Sequence, residues 1–371
     1  MRARPVDVML GTSSSESAVH PVLRQLFAAL EQNRVRWCVL RGEDRLDGTA
    51  GDVDILVAGG DRERLRRIAS ELGFARIPSW GYVSHLFLLA YDPRSDRWLK
   101  LDVVSELAFG PYYSLLLPAA DESLLHRRTQ DGVALLSDSD AYWALALHAL
   151  LDKREVTDSQ AARLKELEPR TSGRGAIERE LTRLAPDGWI GRFKRSLERG
   201  ESVGFGQYAD ELSRAWTRRQ RGASWRRRIA GFILRRAAVV LRLRQPRGMG
   251  VVLRPTGQAA MLAADLRRSF YFPVRWLSAE AAGRGPASLL AEMTRRLRFR
   301  LMRSRGALIV LDCPAPSDED ELVRCGGIAP DVVIAIAPGN DRGQLRREVT
   351  AALWQALAAQ WKKNESRANH R

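Results

Sequence analysis

Cysteine is scarce in this chain of 371 residues, and Cys38, Cys313 and Cys325 stand too scattered to suggest a common site. Three such thiols make neither a disulfide framework nor a zinc-ligand pattern. No apolar run approaches the roughly 18–20 residues that a membrane-spanning helix needs. The opening Met1-Arg-Ala-Arg-Pro-Val-Asp7 is basic but has too short an apolar stretch for a secretory signal. There is no internal repeat. These absences predict a soluble, cytoplasmic chain, with peripheral attachment at the inner membrane face as a variant of that expectation. Acidic residues are missing altogether between Arg214 and Arg247, a segment that carries twelve arginines.

What is present bounds the answer further. Apolar residues at 45% suffice for packed cores and exclude disorder throughout. At roughly 100–200 residues per domain, the length predicts two or three domains. The formal net charge is +16, and twelve of those charges fall in the one arginine segment, leaving +4 for everything else. The charge therefore marks a local feature and not a basic protein surface.

Periodicity predicts an α/β chain of four parts: an α/β unit over 1–110, a helical region over 111–213, an amphipathic connector helix over 214–247, and a second α/β unit over 248–371. In the first, Val19, Val22, Leu23, Leu26, Phe27 and Leu30 repeat at helical spacing. Val35–Gly42 reads as a strand entering a glycine turn, and Asp52–Val57 as a second strand. Asp61 is placed to cap a helix whose buried face is Leu65, Ile68, Ala69 and Leu72. Strands over Tyr82–Tyr91 and Trp98–Val104 flank the turn Asp92–Asp96. From 111 the strand signals stop, and Asp140 is placed to cap an apolar helix, Ala141–Leu151, with Thr171–Gly175 as a later loop. In the last unit Val251–Leu253, Ala307–Leu311 and Val332–Ile336 look like buried parallel strands, and Leu345, Val349, Leu353, Leu357 and Trp361 form the face of a closing helix.

The sharpest chemical signal is Asp52-Val-Asp54. Residues i and i+2 of a strand share a face, so both carboxylates project together while Val53, Ile55 and Val57 face a core. Two like charges so close repel. A divalent cation offsets that cost, and Mg²⁺ typically binds through one or two carboxylates plus substrate phosphates. Asp102, ending the alternating Trp98–Asp102 run, supplies a third carboxylate. The plainer alternative is a pair of solvated residues at a strand edge.

These residues resemble the nucleotidyltransferase superfamily, the fold shared by polymerase-β-like enzymes and small antibiotic adenylyltransferases. The order matches over roughly residues 17–107: helix, strand, glycine turn, Asp-x-Asp strand, helix, and a strand with a third Asp. The resemblance implies that Asp52 and Asp54 hold Mg²⁺-NTP, with Asp102 as third ligand or general base. Arg41 and Gly42 would contact the nucleotide where the family has Gly-Ser or Gly-Gly, and Glu43 departs from that pattern. Leu40-Arg-Gly42 followed by Gly51-Asp-Val-Asp-Ile-Leu-Val57 looks like a bacterial branch associated with surface-polysaccharide or natural-product gene sets. The implied reaction moves an NMP from an NTP to an acceptor. The alternative is a non-catalytic scaffold or sensor.

The last unit resembles the thymidylate-kinase-like P-loop fold with its phosphate loop lost. After Val251–Leu253 the four diagnostic positions are Arg254, Ala259, Ala260 and Met261, and only Gly257 belongs to a glycine loop. Asp312 stands where a Walker-B-like carboxylate would, followed by Cys313, and Pro330-Asp331 resembles the late Pro-Asp strand of that fold. Without Lys and Ser/Thr, phosphoryl transfer by this unit is not expected.

His148 on the apolar helix is expected to be a hydrogen-bonded interior histidine, and Lys153 an exposed lysine within reach of a triphosphate if that helix packs beside the Asp strands. Cys38 and the tryptophans Trp37, Trp98 and Trp143 fall on core faces. Within the arginine segment, Trp225, Ile229, Phe232, Ile233, Ala237, Val240 and Leu241 share one helical face. The stripe has the width of an ordinary packed face, so packing on a neighbouring domain is expected. An anionic membrane surface or a protein partner comes next. Nucleic acid comes last, because no aromatic interleaving accompanies the charge.

Overall fold

Seven strands of the N-terminal half are laid down as short runs of alternating or continuous apolar residues, and they assemble out of sequence order. A computed structural model describes residues 19–48, 51–77, 85–171, 175–200, 205–241, 248–254, 259–278, 286–304, 306–312, 330–335 and 341–369. Among these, α1 (Pro21–Gln32) leads into β1 (Trp37–Arg41) and β2 (Asp52–Val57), followed by α2 (Arg62–Glu71) and β3 (Ala75–Arg76). The hairpin β4 (His85–Asp92) and β5 (Arg97–Val104) comes next, then a small hairpin β6 (Leu107–Phe109) and β7 (Leu115–Leu117). After α3 (Ala120–Leu125), β8 (Arg128–Gln130) and β9 (Val133–Leu135) return to the sheet. The order of the described strands is β3-β4-β5-β2-β1-β9-β8, with β2 parallel to β5 and β1 parallel to β9.

The strand signals therefore do not stop at 111, as expected from the sequence. The β8–β9 hairpin turns at Asp131-Gly132, both residues at positive φ, which is the geometry that an Asp-Gly dipeptide favours between paired strands. The helices then run α4 (Asp138–Leu147), α5 (Asp158–Leu167), α6 (Ala176–Leu184), α7 (Trp189–Arg199), α8 (Phe205–Arg219) and α9 (Arg221–Leu241). Two caps differ from expectation. Ser137, not Asp140, caps α4, and the Asp140 carboxylate instead accepts the Ile177 N–H at the start of α6. Asp61 precedes α2 but accepts from the backbone and side chain of Arg36, tying α2 to the start of β1.

The C-terminal unit is a parallel sheet, β11-β12-β10-β13 among the described strands, from β10 (Met249–Arg254), β11 (Val274–Ser278), β12 (Leu308–Asp312) and β13 (Val332–Ala335). It carries α10 (Ala259–Ser269), α11 (Pro286–Ser304) and α12 (Arg342–Asn369). The expected face of α12 is buried at all five positions, Leu345, Val349, Leu353, Leu357 and Trp361. Parts of other expectations, at 82–84, 172–174, Gly257, Cys313 and Ile336, lie outside the described residues.

The larger sheet has two differently used faces. Val53, Ile55, Leu86, Leu88, Leu101 and Val103 point into the main N-terminal core. On the other face, Leu89 and Tyr91 join Leu262, Phe270, Leu353 and Trp354 in a core shared with the C-terminal unit. Trp98 of β5 is the hub of that contact: its indole N–H donates to Ser269 O at 2.9 Å, and its ring meets Phe270, Tyr271 and Trp354. The C-terminal unit thus covers the β3–β5 end of this face, while α4 covers β1. Between them lies the strip that carries the aspartates.

The packing expected of the arginine-rich helix fails over Trp225–Ile233, while the side chains of Ala237, Val240 and Leu241 lie outside the described residues. On α9, Trp225, Ile229, Phe232 and Ile233 are exposed, at 62%, 37%, 46% and 57%. The helix meets the body through Gly231 and Arg227 instead. Gly231 is buried against Tyr112, where a Cβ would come within 2.6 Å of the Tyr112 Cβ, and Arg227 makes a two-pronged pair with Glu106 at 3.1 Å for each bond.

Candidate functional site

β2 and β5 are parallel neighbours, and their register sets Asp52 beside Lys100 and Asp54 beside Asp102. Residues paired across a sheet point to the same side, so the two strands present four polar side chains on one face. All four, with Arg41 and Gly42, line a cavity of about 1430 Å³ walled on its far side by the helical region. The sequence-predicted site residues Asp52, Asp54, Asp102, Arg41 and Gly42 are therefore brought together.

A bulge in β1 aims Arg41 into this site. Val39 pairs with Ile55, but Arg41 pairs with Asp54, so one extra residue is taken up at Leu40. In an unbulged register Leu40 would pair with Asp54 and Arg41 would lie opposite Val53 on the core-facing side. Such a bulge re-aims a side chain by shifting the alternation of faces. Arg41 Nε donates to Asp54 Oδ2 at 2.8 Å, with both side chains about one-fifth exposed. Gly42 follows at φ +87°, and a Cβ there would stand 3.2 Å from the Asp52 carbonyl oxygen. The bare glycine lets the turn close onto the aspartate strand.

Each carboxylate has a cationic or potentially cationic partner. Lys100 Nζ donates to Asp52 Oδ2 at 2.5 Å, and His85 Nδ1 stands 2.8 and 3.1 Å from the two Asp102 oxygens. An ionised carboxylate only accepts, so Nδ1 carries the proton and Nε2 of a neutral His85 is the basic nitrogen. Burial pushes the Asp54 carboxyl above its ordinary range; Arg41 opposes this and the Asp102 charge reinforces it. Burial works to lower the Lys100 pKa, but the bond and charge of Asp52 outweigh it, and the ammonium is held above its usual value. Tyr271 of the C-terminal unit adds to the field at Lys100, so that unit reaches the edge of the site.

Two further residues enter from the helical side. α4 runs into a π-helical turn, His148–Lys153, ended by Arg154 in the left-handed region. His148 and Lys153 line the same cavity as the aspartates, and the charge of His148 acts on Asp54. His148 does have the hydrogen-bonded partner expected of it, since its Nδ1 stands 2.7 Å from Asp152 Oδ2. Asp152 Oδ1 also accepts the Gly110 N–H at 2.7 Å, which fixes the turn against the loop after β6. Glu43 is drawn aside into ion pairs with Arg163 and Arg128. Its charge is thereby balanced by the helical region.

Sequence reasoning missed His85 and Lys100. Lys100 was readable, being two residues before Asp102 on one strand and hence on its face. His85 depends on the hairpin register, which sets Phe87 opposite Asp102 and brings His85 onto the neighbouring same-face position.

The donor set suits Mg²⁺ in a restricted way. Among the described residues no three His, Cys, Asp or Glu side chains are grouped to hold a metal ion. Asp54 and Asp102, however, form an in-register carboxylate pair whose mutual repulsion is felt at Asp54. Two carboxylates completed by substrate oxygens are a sufficient Mg²⁺ site. Asp52, held by Lys100 and 40% exposed at its side chain, stands at the rim of that pair. No protein-family model, curated protein or solved structure matches the chain.

Proposed function

We propose that the cavity is the active site of a Mg²⁺-dependent nucleotidyltransferase, which moves an NMP from an NTP to an acceptor in surface-polysaccharide or natural-product metabolism. The single observation that carries this reading is the in-register pairing of Asp54 with Asp102 across β2 and β5, beside the Gly42 turn. In the reaction an acceptor hydroxyl attacks the α-phosphorus in line, the bond to the bridging oxygen breaks, and pyrophosphate leaves.

Asp54 and Asp102 would hold the metal with substrate oxygens. Bound there, Mg²⁺ supplies positive charge against the phosphates. Arg41 neutralises part of the charge on Asp54 before substrate arrives and offers its remaining N–H donors to phosphate oxygens. Lys153, which lines the same cavity, would add a second cation. The His85–Asp102 pair takes the acceptor proton: Nε2 is the basic nitrogen and Asp102 stabilises the imidazolium that forms. The buried upward pressure on Asp54 is the cost that a bound cation relieves.

The kinase-like resemblance of residues 248–371 is read in the same way. The parallel order of the described strands supports the layout. Asp331 of the Pro-Asp pair accepts from Gly250 N and Arg303, which makes it a clamp on β10. With Ala259, Ala260 and Met261 at the diagnostic positions, this unit acts as a wall for the N-terminal sheet and not as a kinase.

A scaffold or nucleotide sensor is the second reading, favoured by one observation: Asp52, Asp54 and Asp102 already have Lys100, Arg41 and His85 as partners. Calorimetric titration with each NTP, with and without Mg²⁺, separates the two. Metal-dependent binding that Asp54→Asn abolishes supports the enzyme. Binding indifferent to Mg²⁺ supports the sensor, and no binding of any NTP rejects enzyme and sensor alike and favours the scaffold.

A further inference from the structure

α9 turns its apolar stripe away from the rest of the molecule. At 3.6 residues per turn, Trp225, Ile229 and Ile233 follow one another up a single line of the helix. Arg227 and Gly231, the residues that anchor α9 to Glu106 and Tyr112, lie roughly 200° round the axis from that line. The anchoring face and the apolar face are thus nearly opposite. Phe232, at the edge of the stripe, sets its ring edge-on to Tyr112 at 6.3 Å and is still 46% exposed. Exposed Arg226 and Arg228 flank the stripe on its two sides.

We propose that α9 lies in the plane of an anionic phospholipid surface, with Trp225, Ile229 and Ile233 among the acyl-chain ends of the headgroup layer and the flanking arginines at the phosphates. Charge complementarity selects this occupant. No acidic residue interrupts the sequence from Arg214 to Arg247, so the whole segment favours an anionic partner. A nucleic acid would satisfy the arginines and leave Trp225, Ile229 and Ile233 in water. A second copy of the chain would cover the apolar side chains but would bring Arg226 and Arg228 against their own kind. A lipid surface answers both halves of the helix, because a basic polar edge and a Trp-containing apolar face are what an interfacial helix presents. Among the described residues no helix is long and apolar enough to cross a membrane, so the seat is peripheral. Arg228 also lines the aspartate cavity, so one of the flanking arginines is shared between that cavity and the proposed lipid face.

The test is flotation of the full chain with vesicles of phosphatidylcholine alone and of phosphatidylcholine with roughly one-third phosphatidylglycerol. Binding to the anionic vesicles alone, weakened by salt and reduced at least about tenfold in Ile229→Asp/Ile233→Asp, is the expected result. Both residues are exposed, so the double variant should keep the wild-type thermal melt. Arg226→Glu serves as a second variant, expected to weaken binding without touching the stripe. No flotation, equal flotation on neutral vesicles, or unchanged flotation of both variants would overturn the proposal. A dimer that Ile229→Asp/Ile233→Asp dissociates, or oligonucleotide binding that the same variant leaves intact, would assign the face to another occupant and overturn it equally.

Discussion

Replacing Gly42 by alanine tests how closely the β1 turn must approach the aspartate strand. The residue sits at φ +87°, where an L side chain costs about 1–2 kcal/mol. The added Cβ would also stand 3.2 Å from the Asp52 carbonyl oxygen, a contact tighter than packed atoms normally accept. That oxygen belongs to the backbone of β2, so it cannot swing away as a side chain would. The two effects together give a loss of about 2–3 kcal/mol. Gly59 is the internal control: a Cβ there meets nothing within 4 Å, and its φ lies outside the positive region. Gly59→Ala should be neutral or stabilising by about 0.4–1 kcal/mol through the unfolded chain. Urea unfolding reads the difference. At a slope of about 2 kcal/mol/M, Gly42→Ala should lower the midpoint of the N-terminal transition by about 1–1.5 M, and Gly59→Ala should not lower it. Equal midpoints for the two variants would refute the close approach of Gly42 to β2, and the proposed contact of Gly42 with a triphosphate would go with it.

Asp54→Asn should make the protein relatively more stable as pH rises. The folded carboxyl is pushed up by burial and by Asp102, so the folded state binds its proton more tightly than the unfolded chain does. The contribution of that carboxyl is therefore most favourable below the unfolded value near pH 4 and is lost as pH rises through the folded one. Urea midpoints of variant and wild type should diverge between pH 4 and 7 in favour of the variant, and a gap that stays flat or closes contradicts this. Trp98→Ala should cost about 3 kcal/mol, the low end for a tryptophan that is only partly buried, and should free the C-terminal unit to limited proteolysis. An unchanged digestion pattern would count against Trp98 as the hub. The Cys38 thiol, buried and pushed up by burial, should resist alkylation in the folded chain and react in urea. Site-resolved mass spectrometry measures this, and equal native and denatured rates would contradict the buried placement.

Much of the frame was legible because its signals are local. Val53, Ile55 and Val57 alternate with Asp52 and Asp54 between two glycine boundaries, and β2 begins and ends as read. The five-residue face of α12 follows directly from helical spacing. What escaped was short or non-local. β8 and β9 are three residues each, too brief for periodicity, although Asp131-Gly132 held the turn signal. The bulge that turns Arg41 toward Asp54 leaves no mark in composition. From Trp225 to Ile233 the stripe of α9 shares one face as read, but that face does not dock: the helix approaches Tyr112 through Gly231, where a Cβ would collide. The site divides likewise: three aspartates were visible from spacing, whereas His85 and the π-turn residues His148 and Lys153 needed the register and the helix packing.

The most direct measurement is transfer of label from α-labelled NTPs, with Mg²⁺ and a cell extract as the source of acceptor, by the wild-type chain, Asp54→Asn and Asp102→Asn. The expected result is a labelled product that falls by about a thousandfold in both variants while each keeps a cooperative unfolding transition. A product formed equally by either variant, or none formed by the wild type with any NTP, would contradict it.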